Sequence, residues 1–132
     1  MERSIEWRRY VGRPYVEPFG CFYLVREVLT DCGIVIPDYA EHLADTPHAK
    51  AAVFQAALAE RCCEVGDPQT LDLILLRGGR SSHIGILTKP GEMLHASDGV
   101  DACIENYGAP RWRNRIEGFY RICQGVPAPA QN

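Results

Sequence analysis

The stretch Gly12-Arg13-Pro14-Tyr15-Val16-Glu17-Pro18-Phe19-Gly20-Cys21-Phe22-Tyr23-Leu24-Val25 changes character at its end, and that change decides how the chain is read. Up to Gly20 it is too rich in Pro and Gly for regular structure. From there Cys21, Leu24, Val25, Val28, Leu29 and Cys32 recur at helical spacing, and Gly33 supplies a stop. Cys21 therefore falls in the first turn of an amphipathic helix. Unpaired backbone N–H groups and the positive end of the helix dipole favour a thiolate there. A thiolate in that place is a candidate nucleophile.

Outward from this helix, Ile34-Val35-Ile36-Pro37 leads away, and a second helix is expected from Asp45-Thr46-Pro47, with Thr46 as cap and Pro47 at the first helical position. Its apolar side is Ala51, Phe54, Ala57, Leu58 and Cys62, and it ends before Gly66-Asp67-Pro68. The pattern then turns extended. Leu71–Leu76, Ser82–Leu87 and Glu92–Ala96 read as strands, with weaker signals at Ala102–Ile104 and Gly118–Cys123. Helices first and short antiparallel strands afterwards make an α+β domain of residues 1–123. Residues 124–132, rich in Pro and Ala, read as a flexible tail.

His83 and His95 fall on neighbouring strands. They face each other directly if opposed positions sum to about 178, as a loop centred on Lys89 gives. A tight turn on Pro90-Gly91 gives 181 and puts them on opposite faces. Pro at the first central position suits type I or II turns, so a longer or bulged connection is expected and a shared face is allowed.

The length of 132 residues allows one domain with a single core. A formal charge of −3, from 14 basic and 17 acidic side chains, gives no electrostatic footprint for nucleic acid. The opening Met1–Arg9 lacks the apolar run of a signal peptide, and no later run is long enough to span a bilayer. The six cysteines are accordingly expected as reduced thiols, with Cys32, Cys103 and Cys123 buried as small hydrophobes. Cys62-Cys63 with His42 and His48 lack the spacing of a structural zinc site, so no metal or other cofactor is expected. His42 and His48 read as surface residues, and Asp72 as a strand-start or local hydrogen-bonding residue.

A thiolate beside an imidazole catalyses acyl transfer, because the imidazolium steadies the thiolate and later protonates the leaving amine. A third group must hold the ring's orientation. Cys21, His83 and His95 can fill the three roles of nucleophile, base and orienting group. The backbone N–H of Cys21 is placed to meet an oxyanion, and Tyr15 can add a hydroxyl.

These residues resemble the NlpC/P60 family of papain-like cysteine peptidases. Gly12-Arg13-Pro14-Tyr15 and Phe19-Gly20-Cys21-Phe22-Tyr23-Leu24-Val25 look like its G-x-P-Y and F-D-C-x-x-L-V elements, and Leu71–Leu75 like its G-D-L-V strand. Ser82-His83-Ile84-Gly85-Ile86 resembles the strand of its catalytic histidine, and Leu94-His95-Ala96 the strand of its third polar residue. The close Trp112–Arg121 is similar to the W-x-x-R-I-x-G-F-Y-R of phage-tail members. Two departures stand out. The family's Asp before the nucleophile is Gly20 here, and its double-Gly loop is shortened to Val16-Glu17-Pro18.

The resemblance implies N-terminal helices on a small antiparallel sheet and hydrolysis of the cell-wall stem peptide at D-γ-glutamyl–meso-diaminopimelate. It also implies delivery by a phage tail or at lysis, with tail-tip proteins as partners. Arg13, Arg77 and Arg80 flank the site in loops, and one of them is expected to pair with the substrate's α-carboxylate. Two other readings are a fixed, non-catalytic part of a tail tip, and a permuted papain-like acyltransferase or lipid hydrolase with Cys103 or Cys123 as nucleophile for His83.

Overall fold

Helix α1 (Gly20–Asp31) starts one residue before Cys21 and ends where the sequence says it should, with Gly33 in the left-handed region at φ +89°. The computed structural model describes residues 5–15, 20–38, 47–78, 81–97, 99–123 and 126–127. After α1 come β1 (Ile34–Val35), α2 (Pro47–Arg61), β2 (Cys62–Val65), β3 (Leu73–Gly78), β4 (Ser81–Lys89), β5 (Glu92–Ser97), β6 (Val100–Asn106), β7 (Ile116–Ile122) and β8 (Val126–Pro127). Strands β2, β7, β3, β4, β5 and β6 lie side by side in that order as one antiparallel sheet. The fold is α+β, as expected.

Alternation along the strands gives the sheet two different faces. Leu73, Leu75, Ile84, Ile86, Leu94 and Ala96 pack with Phe22, Val25 and Leu29 of α1 and with Phe54 and Leu58 of α2. Ile74, Leu76, Leu87 and Met93 form a smaller cluster on the other side, closed by Trp112 from the irregular segment before β7. Helix α1 rests on β4 and β5, and α2 on β4 and β2.

Two expectations change. Cys62 is not on the apolar side of α2. The helix stops at Arg61, and Cys62–Val65 pair with Ile122–Phe119 as an edge strand. The backbone bonds offered by β7 outweigh the helical spacing of one more residue. Cys63 and Cys123 are joined in a disulfide, with Cα atoms 6.1 Å apart, so neither is a reduced thiol. Strand pairing brings these residues together across 60 positions, which spacing alone did not reveal. Within the stretch read as a flexible tail, Val126–Pro127 pair with Ile34–Val35. The remaining tail residues, Thr46 and His42 lie outside the described residues.

Buried Asp72 is bound by Arg121, with Nε 2.9 Å from Oδ1 and Nη2 2.8 Å from Oδ2. The backbone N–H of Gln69 also donates to Oδ2 at 2.7 Å. This fork ties the start of β3 to the end of β7 and holds the Arg121 guanidinium above its ordinary pKa, chiefly through its hydrogen bonds to Asp72.

Candidate active site

The turn after β4 settles the relation of the two histidines. Ile86 opposes Leu94 and Leu87 opposes Met93, whereas Lys89 opposes Glu92. A tight turn on Pro90 and Gly91, with Gly91 at φ +97°, is thus combined with a bulge at Thr88. The bulge restores an even sum of 180 rather than 178, so His83 and His95 share a face but sit diagonally. Gly85 stands across from His95, and a Cβ there would lie 3.3 Å from the His95 Cβ. Glycine at this position lets β5 carry an imidazole this close to β4 without displacing its neighbours.

The two rings meet at 2.8 Å between His83 Nε2 and His95 Nδ1, and both residues are buried. On its far side His95 Nε2 lies 2.9 Å from Oε1 of Glu105 on β6, while Oε2 of Glu105 accepts from the Trp112 indole N–H at 3.1 Å. Trp112 stacks on His83 at 5.7 Å between ring centres and meets His95 edge-on at 5.2 Å. The indole therefore roofs the His83–His95 bond.

Glu105 fixes the protons of this chain. Its carboxylate only accepts, so His95 carries its proton on Nε2 and offers Nδ1 as acceptor. His83 must then donate from Nε2, which makes Nδ1 its basic nitrogen. Burial lowers the His95 pKa despite the Glu105 hydrogen bond and charge, so the ring is neutral at neutral pH. For Glu105 burial acts upward, but the hydrogen bonds from Trp112 and His95, the His95 charge and nearby Arg111 together hold the carboxyl below its ordinary value. Glu105 and Trp112 were not singled out as site residues from the sequence. The available signal was parity: once β5 and β6 pair, Glu105 falls on the face of Cys103, which opposes His95.

Cys21 is buried in the first turn of α1, within the helix-side cluster. His83 lies in the third position of β4, opposite Leu76 of β3 and close to the connection between these two strands. The loop before α1 is held to β6, because Gly12 N–H donates to Ala102 O and Ala102 N–H to Arg13 O, each at 2.8 Å. Tyr15 is carried to the start of the helix, where a Cβ on Gly20 would lie 2.6 Å from its ring. The departure at Gly20 thus has a steric reason. The Tyr15 ring fills the space that the family's aspartate side chain would need.

Arg13 is ion-paired with Glu27 of α1. Both border a cavity of about 190 Å³ together with Gly20, Tyr23, Ala96 and Ala102, next to the first turn of α1. Arg77 donates to the Asn114 carbonyl at 2.7 Å, Arg80 and Val16-Glu17-Pro18 lie outside the described residues, and His48 falls in the first turn of α2. The structure brings His83 and His95 together, and Tyr15 with the Cys21 turn, but leaves Arg77 in a separate contact. Of the permuted nucleophiles, Cys123 is in the disulfide and Cys103 lies on β6 against Glu105, away from any helix start.

The model of the NlpC/P60 family matches residues 9–121. The chain belongs to this family, whose members are generally cysteine peptidases of the cell wall. Among solved structures it is similar to a lipoprotein-like NLP/P60 family protein of Staphylococcus aureus, at 20% identity and TM-score 0.58 over 86% of this chain and 38% of the other. It is also similar to an NlpC/P60 family protein of Bacillus cereus, at 19% identity and TM-score 0.62 over 87% of this chain and 37% of the other. The chain thus spans less than two fifths of either protein, and these likenesses speak to the fold. No curated protein matches it significantly.

Proposed function

We propose that the chain is a cysteine peptidase that hydrolyses the D-γ-glutamyl–meso-diaminopimelate bond of peptidoglycan stem peptides. The observation that carries this reading is the chain from Glu105 through His95 to His83, which makes Nδ1 the basic nitrogen of His83. In this reading Cys21 Sγ gives its proton to that nitrogen and attacks the scissile carbonyl. The backbone N–H of Cys21 and the first turn of α1 receive the oxyanion. His83 protonates the leaving amine, and water then resolves the thioester by the same base. Trp112 keeps the relay from competing solvent.

The cavity beside Gly20 is the substrate entrance in this reading, and the Arg13–Glu27 pair offers both signs of charge to a zwitterionic stem peptide. Arg13 then exchanges part of its bond to Glu27 for the substrate carboxylate. The Cys63–Cys123 disulfide supports action outside the cytosol, where such bonds persist. The Trp112–Arg121 close supports a phage-tail or prophage setting.

The test is incubation with a synthetic L-Ala-D-γ-Glu-meso-diaminopimelate peptide, followed by mass analysis. Release of diaminopimelate by the wild type but not by Cys21→Ala is expected. Cleavage that persists in Cys21→Ala removes the nucleophile assignment, and cleavage of a different amide alone removes the substrate assignment.

A further inference from the structure

We infer that His95, Cys103 and Glu105 form a binding site for a divalent ion of the zinc class, and that filling it switches off the His83 base. The second half of this statement rests on the function proposed above, whereas the first stands on geometry. Cys103 Sγ lies 3.8 Å from His95 Nε2 and 3.6 Å from Glu105 Oε1, and Nε2 lies 2.9 Å from Oε1. Zinc bonds of about 2.0–2.3 Å at tetrahedral angles put N, O and S donors about 3.3–3.6 Å apart. The three atoms already stand near the corners of one face of such a tetrahedron; the N to O edge must open by about half an ångström and the S to N edge close by about 0.2 Å.

The donor set has the right chemistry as well. Imidazole, thiolate and carboxylate are all zinc ligands, and the two anions neutralise the ion. The surroundings match the second layer of a metal site. His83 bonds the other nitrogen of His95, and Trp112 holds the second oxygen of Glu105, so the carboxylate coordinates through Oε1 alone. The fourth corner is left to water, and the half-buried Glu105 and Cys103 give the ion a way in. Arg111, 3.7 Å from Oε2, opposes a cation and keeps the affinity below that of a structural zinc site.

The protons balance as follows. Cys103 releases its thiol proton to solvent when the sulfur binds. His95 must free Nε2, so the proton there leaves and Nδ1 takes the proton that His83 Nε2 had been donating. His83 recovers a proton from solvent on Nδ1. The imidazole pair stays neutral and one proton is released in total. His83 then presents an N–H where it had presented a lone pair, and it cannot accept a proton from Cys21.

Cobalt(II) is the probe for the site, because a bound thiolate gives it a charge-transfer absorption and tetrahedral coordination gives intense visible bands. The full chain with its disulfide intact is titrated with cobalt, then with zinc in competition. One cobalt per chain is expected, with the thiolate band present in wild type and Cys21→Ser and absent in Cys103→Ser and Cys103→Ala. A band that survives both Cys103 variants, or no band at all, overturns the site. Zinc at a concentration that saturates it should reduce stem-peptide cleavage by at least tenfold in wild type, reversibly with chelator, and leave Cys103→Ser uninhibited. Equal inhibition of Cys103→Ser overturns the switch. A Cys103-dependent cobalt band on a protein that cleaves no peptide even without metal upholds the site and rejects the peptidase reading instead.

Discussion

The two faces of the sheet are built from the same strands and do opposite work. The side under α1 and α2 is aliphatic and aromatic, tolerates rearrangement among similar shapes, and supplies most of the buried apolar surface. The other side has a small apolar floor of Ile74, Leu76, Leu87 and Met93, on which His83, His95 and Glu105 are lined up beneath Trp112. On the first face volume decides. On the second, under the proposed function, the position of single protons decides, and a change that leaves volume intact can still be costly.

The sharpest way to break this division is His83→Ala. Cleavage should fall about a hundredfold to ten-thousandfold, the usual scale of a lost general acid–base. Urea unfolding of the same variant should move far less, because the ring sits over the smaller cluster. Phe54→Ala on the helix side should show the reverse. Phe54 is fully buried, and its truncation should cost about 3–5 kcal/mol in chemical denaturation. Activity per folded molecule should be nearly unchanged. A large stability loss in His83→Ala with proportionate activity loss would erase the distinction between the faces.

Glu105→Gln tests the relay more finely. The amide keeps shape but no longer forces the proton onto His95 Nε2, and loss of that charge-assisted bond should cost about tenfold in kcat/KM, or roughly 1.4 kcal/mol. The pH–rate profile should change shape, since the proton arrangement of both rings is released. A lower rate with an unchanged profile would mark Glu105 as structural only.

The smallest expected effect is chemical labelling of Cys62, on the helix side. Burial, with a smaller contribution from Asp72, pushes its thiol up to about 11, so it stays protonated and inert near neutral pH. Iodoacetamide at pH 7.5 should label Cys21 first and leave Cys62 unlabelled until the pH approaches 11. Labelling of Cys62 ahead of Cys21 in folded protein would remove the case for Cys21 as nucleophile.

What could be read in the sequence follows from the range of the interactions involved. Helix α1 and its stop are local events, governed by spacing over a few residues, and Cys21 was found that way. The strands of His83 and His95 were legible for the same reason. Their shared face was not, because it depends on a bulge at Thr88 that no two-residue turn rule contains. Strand β2 escaped because Cys62 continued a helical spacing that pairing with β7 overrides. Glu105 and Trp112 become site residues only when β6 lies beside β5 and an irregular segment folds back over both. The steric role of Gly20 depended on where Tyr15 comes to rest, which its own neighbours in sequence do not dictate.

The disulfide has a practical consequence for anyone handling the protein. Cys63 and Cys123 close a covalent ring that contains both histidines and Glu105 but not Cys21. A protease that clips any turn between them, such as the one at Pro90-Gly91, opens the ring without dividing the molecule. Such a clipped chain runs as one species on a non-reducing gel and as two fragments once reduced, so an apparently intact preparation can already be cut between the strands that carry His83 and His95.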